Sequence, residues 1–327
     1  MPDTHIVVTG GAGFIGSHLV ERLLRDGHSV TVIDDCSTGS INNLAAVKGN
    51  DRLTIIESTV SDCAYLPGLC AKSSFLYHLA AAVGVELVVH SPIRTIQTNL
   101  EETETVLLAA DAFKVPVLLT STSEVYGKSS KPAFSEEDDL LIGPPHLGRW
   151  SYACSKLMDE FLAMAYYREH QLPVIIARLF NTVGPRQTGR YGMVLPRFVA
   201  AALKNEPIRV YGSGGQTRCF SHVQDTVEAL VRLQNSPSAY GHVFNVGSTA
   251  EISIRALAER VVQLLGSRST IDLVPYQEAY MPGFEDMLRR KPVIDKLEKI
   301  TGFKPGIPLD QIVQSIAGEM QRRPANP

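Results

Sequence analysis

The chain has 327 residues, 44% of them apolar and 20% charged, with a net charge of −3. This is the balance of an ordinary globular protein with room for a large core, and the absence of a Lys/Arg block disfavours nucleic-acid binding through a basic footprint. No apolar run approaches bilayer length, and five scattered cysteines without a C-x-x-C pair argue against a disulfide framework and against zinc. The sequence enters a strand almost at once, with no secretory n- and h-regions. The expectation is a cytoplasmic protein with no metal, no nucleic acid and no membrane among its partners.

In chain order, Ile6-Val7-Val8-Thr9 feeds directly into Gly10, Gly11, Gly13 and Gly16. A β-branched run followed by glycines at G-x-G-x-x-G spacing predicts a strand, a tight turn and a helix start: one glycine for the turn, one for backbone approach to a pyrophosphate, one for close helix packing. The helix N-terminus would offer free N–H groups and a positive dipole end to phosphates. A structural glycine turn is the alternative, and context decides against it. Ser17 to Asp26 is apolar at Leu19, Val20, Leu23 and Leu24, and the strand Ser29–Ile33 then ends in Asp34. This is a complete βαβ unit closing on an acid at the spacing of a ribose-binding carboxylate. No Arg or Lys follows Asp34 closely enough to neutralise a 2′-phosphate, so NAD is expected rather than NADP.

Further strands are predicted at Leu53–Glu57, at Phe75–Ala81, at Val115–Thr120 and at Val174–Asn181, with a helix from Asn99 to Ala112 carrying Leu100, Val106, Leu107 and Leu108. Alternation of this kind predicts a doubly wound parallel α/β sheet of Rossmann type, whose ligands bind at the carboxyl edge. There stands Ser121-Thr122-Ser123-Glu124-Val125-Tyr126-Gly127, which puts hydroxyls and a carboxylate at that edge. Further on, Arg149-Trp150-Ser151-Tyr152-Ala153-Cys154-Ser155-Lys156 opens a helix running to about His170. Tyr152 and Lys156, at i and i+4, are neighbours on one face. An ammonium beside a phenol lowers its pKa from about 10 toward neutrality, which makes a base for a hydroxyl proton.

After Asn181 the alternation stops. Met193 to Lys204 is a mixed segment, and the turn-rich stretch Ile208 to Arg218 holds Arg209 and Arg218, suited to phosphates or simply solvated. Gly241–Gly247 reads as another strand, Ile254–Leu265 and Leu309–Met320 as helices. The expected division is a nucleotide-binding part over 1–180, to which 217–250 partly returns, and a smaller substrate-binding lobe over 181–327.

These motifs together resemble the extended short-chain dehydrogenase/reductase family of nucleotide-sugar epimerases, dehydratases and decarboxylases, over nearly the whole length. The matching residues are Thr9 to Gly16, Asp34, His78-Leu79-Ala80-Ala81, Thr122 with Val125-Tyr126-Gly127, Tyr152-x-x-x-Lys156, Arg178-x-x-Asn181 with Gly184-Pro185, Tyr211-Gly212-x-Gly214 with Gln216 and Arg218, and Asn245-x-Gly247. The resemblance implies a tightly held NAD contacted by Gly10, Gly13, Phe14, Ile15, Gly16, Asp34, Ser37, Thr38, Leu79, Ala80, Ala81, Asn99, Tyr152 and Lys156. It implies a catalytic set of Thr122, Ser123, Glu124, Tyr152 and Lys156, and a UDP-sugar held by Asn181, Arg197, Tyr211, Gln216, Arg218 and Arg290. Two positions depart from the pattern: Thr59 stands where an aspartate near the adenine is usual, and Asn99-Leu-Glu-Glu-Thr103 replaces Asn-x-x-Gly-Thr.

Within that family, Ser123 replaces the aspartic acid that serves 4,6-dehydratases, and Glu124 adds a carboxylate that plain 4-epimerases lack. The Ser-Glu pair, with Arg289-Arg290-Lys291-Pro292, resembles the UDP-glucuronate decarboxylases. Oxidising C4 of a glucuronate creates a β-keto acid that loses CO2 without an external base, giving UDP-xylose or its 4-keto precursor. A UDP-hexose or UDP-uronate 4-epimerase is the runner-up. An NAD-dependent reductase with exchanging cofactor and a non-catalytic NAD sensor are the competing classes. Apolar residues on more than one face of the Tyr152 helix (Leu157, Met158, Phe161, Leu162) suggest a homodimer through it.

Overall fold

The structure is a computed structural model that describes residues 4–82, 91–188, 193–275 and 287–322. Strands β1 (His5–Thr9), β2 (Ser29–Asp34), β3 (Leu53–Glu57), β4 (Phe75–His78), β5 (Val117–Thr122), β6 (Val174–Leu179) and β7 (His242–Val246) form one parallel sheet in the order β7-β6-β5-β4-β1-β2-β3. Successive side chains of a strand point to opposite faces, so Ile6 and Val8 pack on one layer and Val7 on the other. The first layer is made by helix α1 (Phe14–Arg25), through Leu19 and Leu23, and by Val227 and Leu230 of Val223–Gln234. The second is made by α2 (Pro92–Phe113), through Val106, Leu107 and Ala110, and by Ala163 of α3 (Trp150–His170).

The order reverses between β1 and β4, and such a switch point opens a crevice at the carboxyl ends of the strands. A third apolar cluster borders it. Leu195, Phe198 and Val199 of α4 (Val194–Lys204) meet Leu257 and Val261 of Ile254–Leu265 and Ile312 and Ile316 of Leu309–Arg322. The segment read from sequence as mixed is thus a helix whose apolar positions recur at helical spacing. Helix α2 starts seven residues earlier than its apolar pattern suggests: Pro92 occupies the first turn, where its missing N–H costs nothing, and the first turns bury Thr95 while Ile93 and Ile96 are exposed. Leu108, one of the apolar residues of that pattern, is exposed. Among the described residues no helix is long and apolar enough to cross a membrane, and no cluster of three His, Cys, Asp or Glu could hold a metal ion.

Candidate active site

The glycine turn shows why its residue types are needed. Gly10 sits at φ +70°, and a Cβ there would lie 2.6 Å from the Ala80 backbone nitrogen. Gly13 caps α1, and a Cβ on Gly16 would lie 2.1 Å from the Gly10 carbonyl oxygen, so the helix approaches the strand as closely as a backbone can. The positive φ belongs to Gly10; Gly11 is instead packed against the Val32 side chain. Asp34, at the end of β2, is nearly buried. Its Oδ2 accepts the Ala12 N–H at 2.8 Å and its Oδ1 accepts the Cys36 N–H at 2.8 Å, so one carboxylate knits the turn to the exit of β2. Burial pushes its pKa up while these N–H bonds pull it back.

Above the switch point lies a cavity of about 740 Å³. Gly10, Gly13, Phe14, Ile15, Gly16, Asp34, Ser37, Thr38, Leu79, Ala80 and Ala81 all line its first half. Asn99 does not line it. Its Oδ1 accepts the Ala82 N–H at 2.8 Å and its Nδ2 donates to Ser155 Oγ at 3.0 Å, so it fastens the exit of β4 to α3 from behind. The two departures from the family pattern meet in space: Glu102 accepts from Val60 N–H (2.8 Å) and from the Ser61 hydroxyl (3.2 Å), and so holds the loop in which Thr59 stands. Glu102 and Thr59 both line the cavity, and sequence reading gave Glu102 no role.

The second half is built on β5 and α3. Thr122 ends β5, and its hydroxyl accepts the Glu124 N–H at 3.2 Å, starting a short helical turn over Ser123–Tyr126. Tyr152, in the first turn of α3, shares a hydrogen bond with Thr122. Lys156 follows one turn later, 2% exposed, with its Nζ donating to Asp159 Oδ2 at 2.8 Å. The expected lowering of the Tyr152 pKa is therefore corrected. Burial drives the phenol up, the charges of Glu124 and Asp159 drive it further, and the Thr122 hydrogen bond opposes them. Asp159 offsets the ammonium that was to stabilise phenolate.

Glu124 faces arginines. Its Oε1 lies 3.1 Å from Arg290 Nη1 and 3.9 Å from Arg149 Nη2. Burial alone would raise its pKa, but Arg149, Arg290 and Arg218 hold it below the usual carboxylate range, so Glu124 is an anion. Arg290 and Arg218 are register partners where the pair Arg289–Arg290 runs beside Thr217–Cys219. The Arg-Lys-Pro segment is fixed there because Lys291 O accepts the Phe134 N–H and the Val293 N–H donates back to Phe134 O, both at 2.8 Å. Arg290, expected on a substrate carboxylate, thus already engages Glu124, while its Nε has no hydrogen-bond partner among the described residues. Arg149 was missed in the sequence; its signal was the position one turn before Tyr152, which carries it to the cavity wall.

On the far wall, the Arg197 guanidinium lies 4.8 Å over the Tyr211 ring and donates to its hydroxyl at 2.5 Å. Gln216 Nε2 donates to Tyr211 O at 3.1 Å, and Asn181, at φ +32°, donates to Cys219 O at 3.1 Å. These residues line the same cavity as Thr122, Ser123, Glu124, Tyr152, Lys156, Arg218 and Arg290. Several basic side chains beside a glycine turn suit a ligand with two negatively charged ends.

Residues 7–316 match the family described as GDP-mannose 4,6-dehydratase. The chain belongs to that family. Proteins similar to this chain include the UDP-N-acetyl-alpha-D-glucosaminuronate decarboxylase of Bacillus cytotoxicus, 41% identical over 306 residues that cover 93% of this chain and 94% of the relative. The UDP-glucuronic acid decarboxylase 1 of Xenopus tropicalis is 36% identical over 94% of this chain and 69% of its own length. Among solved structures, the UDP-glucuronic acid 4-epimerase of Bacillus cereus in complex with UDP-glucuronic acid and NAD superposes with a TM-score of 0.85 at 27% identity, covering 97% of this chain and 99% of that one. Proteins similar to this chain thus carry the names of decarboxylases and of an epimerase.

Proposed function

We propose that this chain is an NAD-dependent UDP-glucuronate decarboxylase, a lyase releasing CO2 and UDP-xylose or its 4-keto precursor. The observation that carries this reading is the corner itself: a serine where a dehydratase needs an acid, and beside it a glutamate held ionised by arginines. Ser123 is buried and a poor proton donor to a leaving hydroxyl, and an ionised Glu124 has no proton to give. Epimerisation requires the sugar to turn over between two hydride transfers, which a sugar carboxylate held by the remaining Arg290 Nε donor beside Glu124 would resist. Decarboxylation asks for less: a fixed carboxylate and a proton delivered to C5.

The cradle fits NAD, because Gly10 and Gly16 leave no room for a Cβ, Asp34 retains lone pairs for ribose hydroxyls, and Leu79, Ala80 and Ala81 give a small-residue wall. NAD supplies a hydride acceptor, later a donor, at C4. Tyr152 takes the C4 hydroxyl proton, with Thr122 orienting the phenol and Lys156 beside it. The C5–C6 bond of the β-keto acid then breaks, its electron pair going to C5 and O4 and the carboxyl leaving as CO2. A water held by the Ser123 hydroxyl and the Glu124 carboxylate brings the proton to C5 and is left as hydroxide. Asn181, Arg197, Tyr211, Gln216 and Arg218 bind the UDP diphosphate and uridine.

In this reading residues 1–180, with 217–250 returning, make the cofactor half and 181–327 the substrate lobe of a cytoplasmic homodimer. The test uses UDP-glucuronate and UDP-N-acetylglucosaminuronate labelled with carbon-13 in the carboxyl group. Labelled CO2 from either is expected and tells which uronate is used. Retention of the label with appearance of the 4-epimer overturns decarboxylation in favour of the epimerase.

A further inference from the structure

Behind the catalytic helix face a buried polar chain, whose other members the mechanism does not use, ends on Lys156. Thr9 Oγ1 meets His78 Nδ1 at 2.8 Å, and His78 Nε2 meets Thr103 Oγ1 at 3.2 Å. Thr103 faces the Asp159 carboxylate, whose Oδ1 has no hydrogen-bond partner among the described residues, and Asp159 Oδ2 holds Lys156 Nζ at 2.8 Å. All of these residues are at most 2% exposed, and Asp159 has no exposure at all. A carboxylate buried this deeply is costly unless paired, and its partner is the lysine one turn along from Tyr152.

We infer that Asp159 is a positioning residue for proton transfer: it fixes the Lys156 ammonium in place and offsets its charge, and so sets the pH at which Tyr152 becomes a base. The inference rests on the reading of Tyr152 as the proton-transfer group. Its argument is one of charge placement. A lone ammonium one turn from a phenol would favour phenolate, whereas an ammonium bound to a carboxylate is close to neutral as seen from the ring.

The other groups around Tyr152 leave this role to Asp159. Glu124, on the turn after β5, is bound to Arg290 with Arg149 and Arg218 about it. Glu160, next to Asp159 on α3, is committed to Arg178 at 2.7 Å and to Ser121. His78, at the end of β4, is driven down to about 3 by burial and then by Lys156, so it stays neutral. Asp159 itself is raised by burial and pulled back by Lys156 and Thr103. On α3 and the elements packed against it, Asp159 is the acid in direct contact with the catalytic lysine.

The test is an ultraviolet difference titration of tyrosinate, which needs neither substrate nor turnover. Asp159→Asn is compared with Asp159→Asn/Tyr152→Phe, and the unaltered protein with Tyr152→Phe, so that each difference isolates Tyr152. Removing the carboxylate should lower the Tyr152 midpoint by about one pH unit, which is about tenfold more phenolate at any pH below both midpoints. If the decarboxylase reading holds, the acidic limb of the kcat profile moves the same way. An unchanged midpoint overturns the proposal, even if kcat or thermal stability falls, because a structural role moves those alone. Asp159→Ser, smaller and equally neutral, repeats the titration without an amide to seat. Loss of folding in both variants would assign Asp159 to the core and overturn the proposal as well. Absence of CO2 release with a shifted midpoint would refute the reaction and leave Asp159 in its role.

Discussion

Glu124 and Tyr152 are each governed by neighbours that no local sequence pattern reveals. The Tyr-x-x-x-Lys spacing put both side chains on one helix face, and both line the cavity. It could not foretell that Asp159, only three residues beyond Lys156, would take the ammonium, because that depends on how deeply α3 is buried against β5 and α2. Glu124 was legible as a carboxylate at the sheet edge; its clamp was only half legible, since Arg290 stood in a recognisable segment and Arg149 did not. The proton chemistry at this scale yields a direct expectation. Tyr152→Phe keeps the ring and its packing and removes only the hydroxyl, so binding of UDP should change little while kcat falls by at least about a hundredfold, the scale of a general acid-base group. Isothermal titration with UDP and steady-state turnover check the two halves. A variant with near-normal kcat would put the base elsewhere.

At the scale of elements, strands and helices with strong periodicity were read almost to the residue: Leu53–Glu57 and Ile254–Leu265 have the bounds that their apolar patterns predicted. The start of α2 was not, because its first turns bury Thr95 and leave Ile93 and Ile96 exposed, and its start is marked by Pro92 rather than by a hydrophobic period. The glycine turn is the element where sequence and space agree most tightly, and it supports an expectation with an internal control. Gly16→Ala puts a methyl 2.1 Å from the Gly10 carbonyl oxygen and 2.8 Å from Gly11 Cα, both backbone atoms that cannot swing away. Helix α1 must move off the turn, at a cost of about 1–3 kcal/mol or more, and the cradle widens. Gly318→Ala, in the interior of Leu309–Arg322 with nothing within 4 Å of the new methyl, should instead stabilise by about 0.5–1 kcal/mol. Thermal unfolding reads the two opposite signs, and NAD content per chain should drop only in Gly16→Ala. Equal behaviour of the two would mean that the close approach at Gly16 carries no constraint.

In the whole molecule, the switch point between β1 and β4 places the glycine turn, the end of β5 and the start of α3 around one crevice, and the cluster built from α4 and the C-terminal helices closes its far side. That arrangement was legible as a class from the βα alternation. The inclusion of β7 beside β6 was suggested only by a lone strand pattern, since pairing partners so distant in sequence leave no local mark. One large-scale feature is left without an internal partner. Helices α2 and α3 pack together on the sheet through Val106, Leu107 and Ala163, yet on their outer sides Leu108, Met158 and Phe161 are 64%, 51% and 61% exposed. Exposed large apolar side chains on two helices that pack together suit an interaction surface. A second copy of the chain would meet it with the same side chains, as a two-fold interface requires, and would cover the back of the helix whose front carries Tyr152 and Lys156. Phe161→Glu with Leu108→Glu places like charges across such an interface from either copy. Light scattering at micromolar concentration should then give the mass of two chains for the unaltered protein and of one chain for the double variant. Because a stable pairing buries roughly 800 Å² per partner, the double variant should also unfold at a lower temperature that no longer depends on protein concentration. A single-chain mass for the unaltered protein would remove the dimer, leaving the outer face of α3 without a partner and the site complete in one chain.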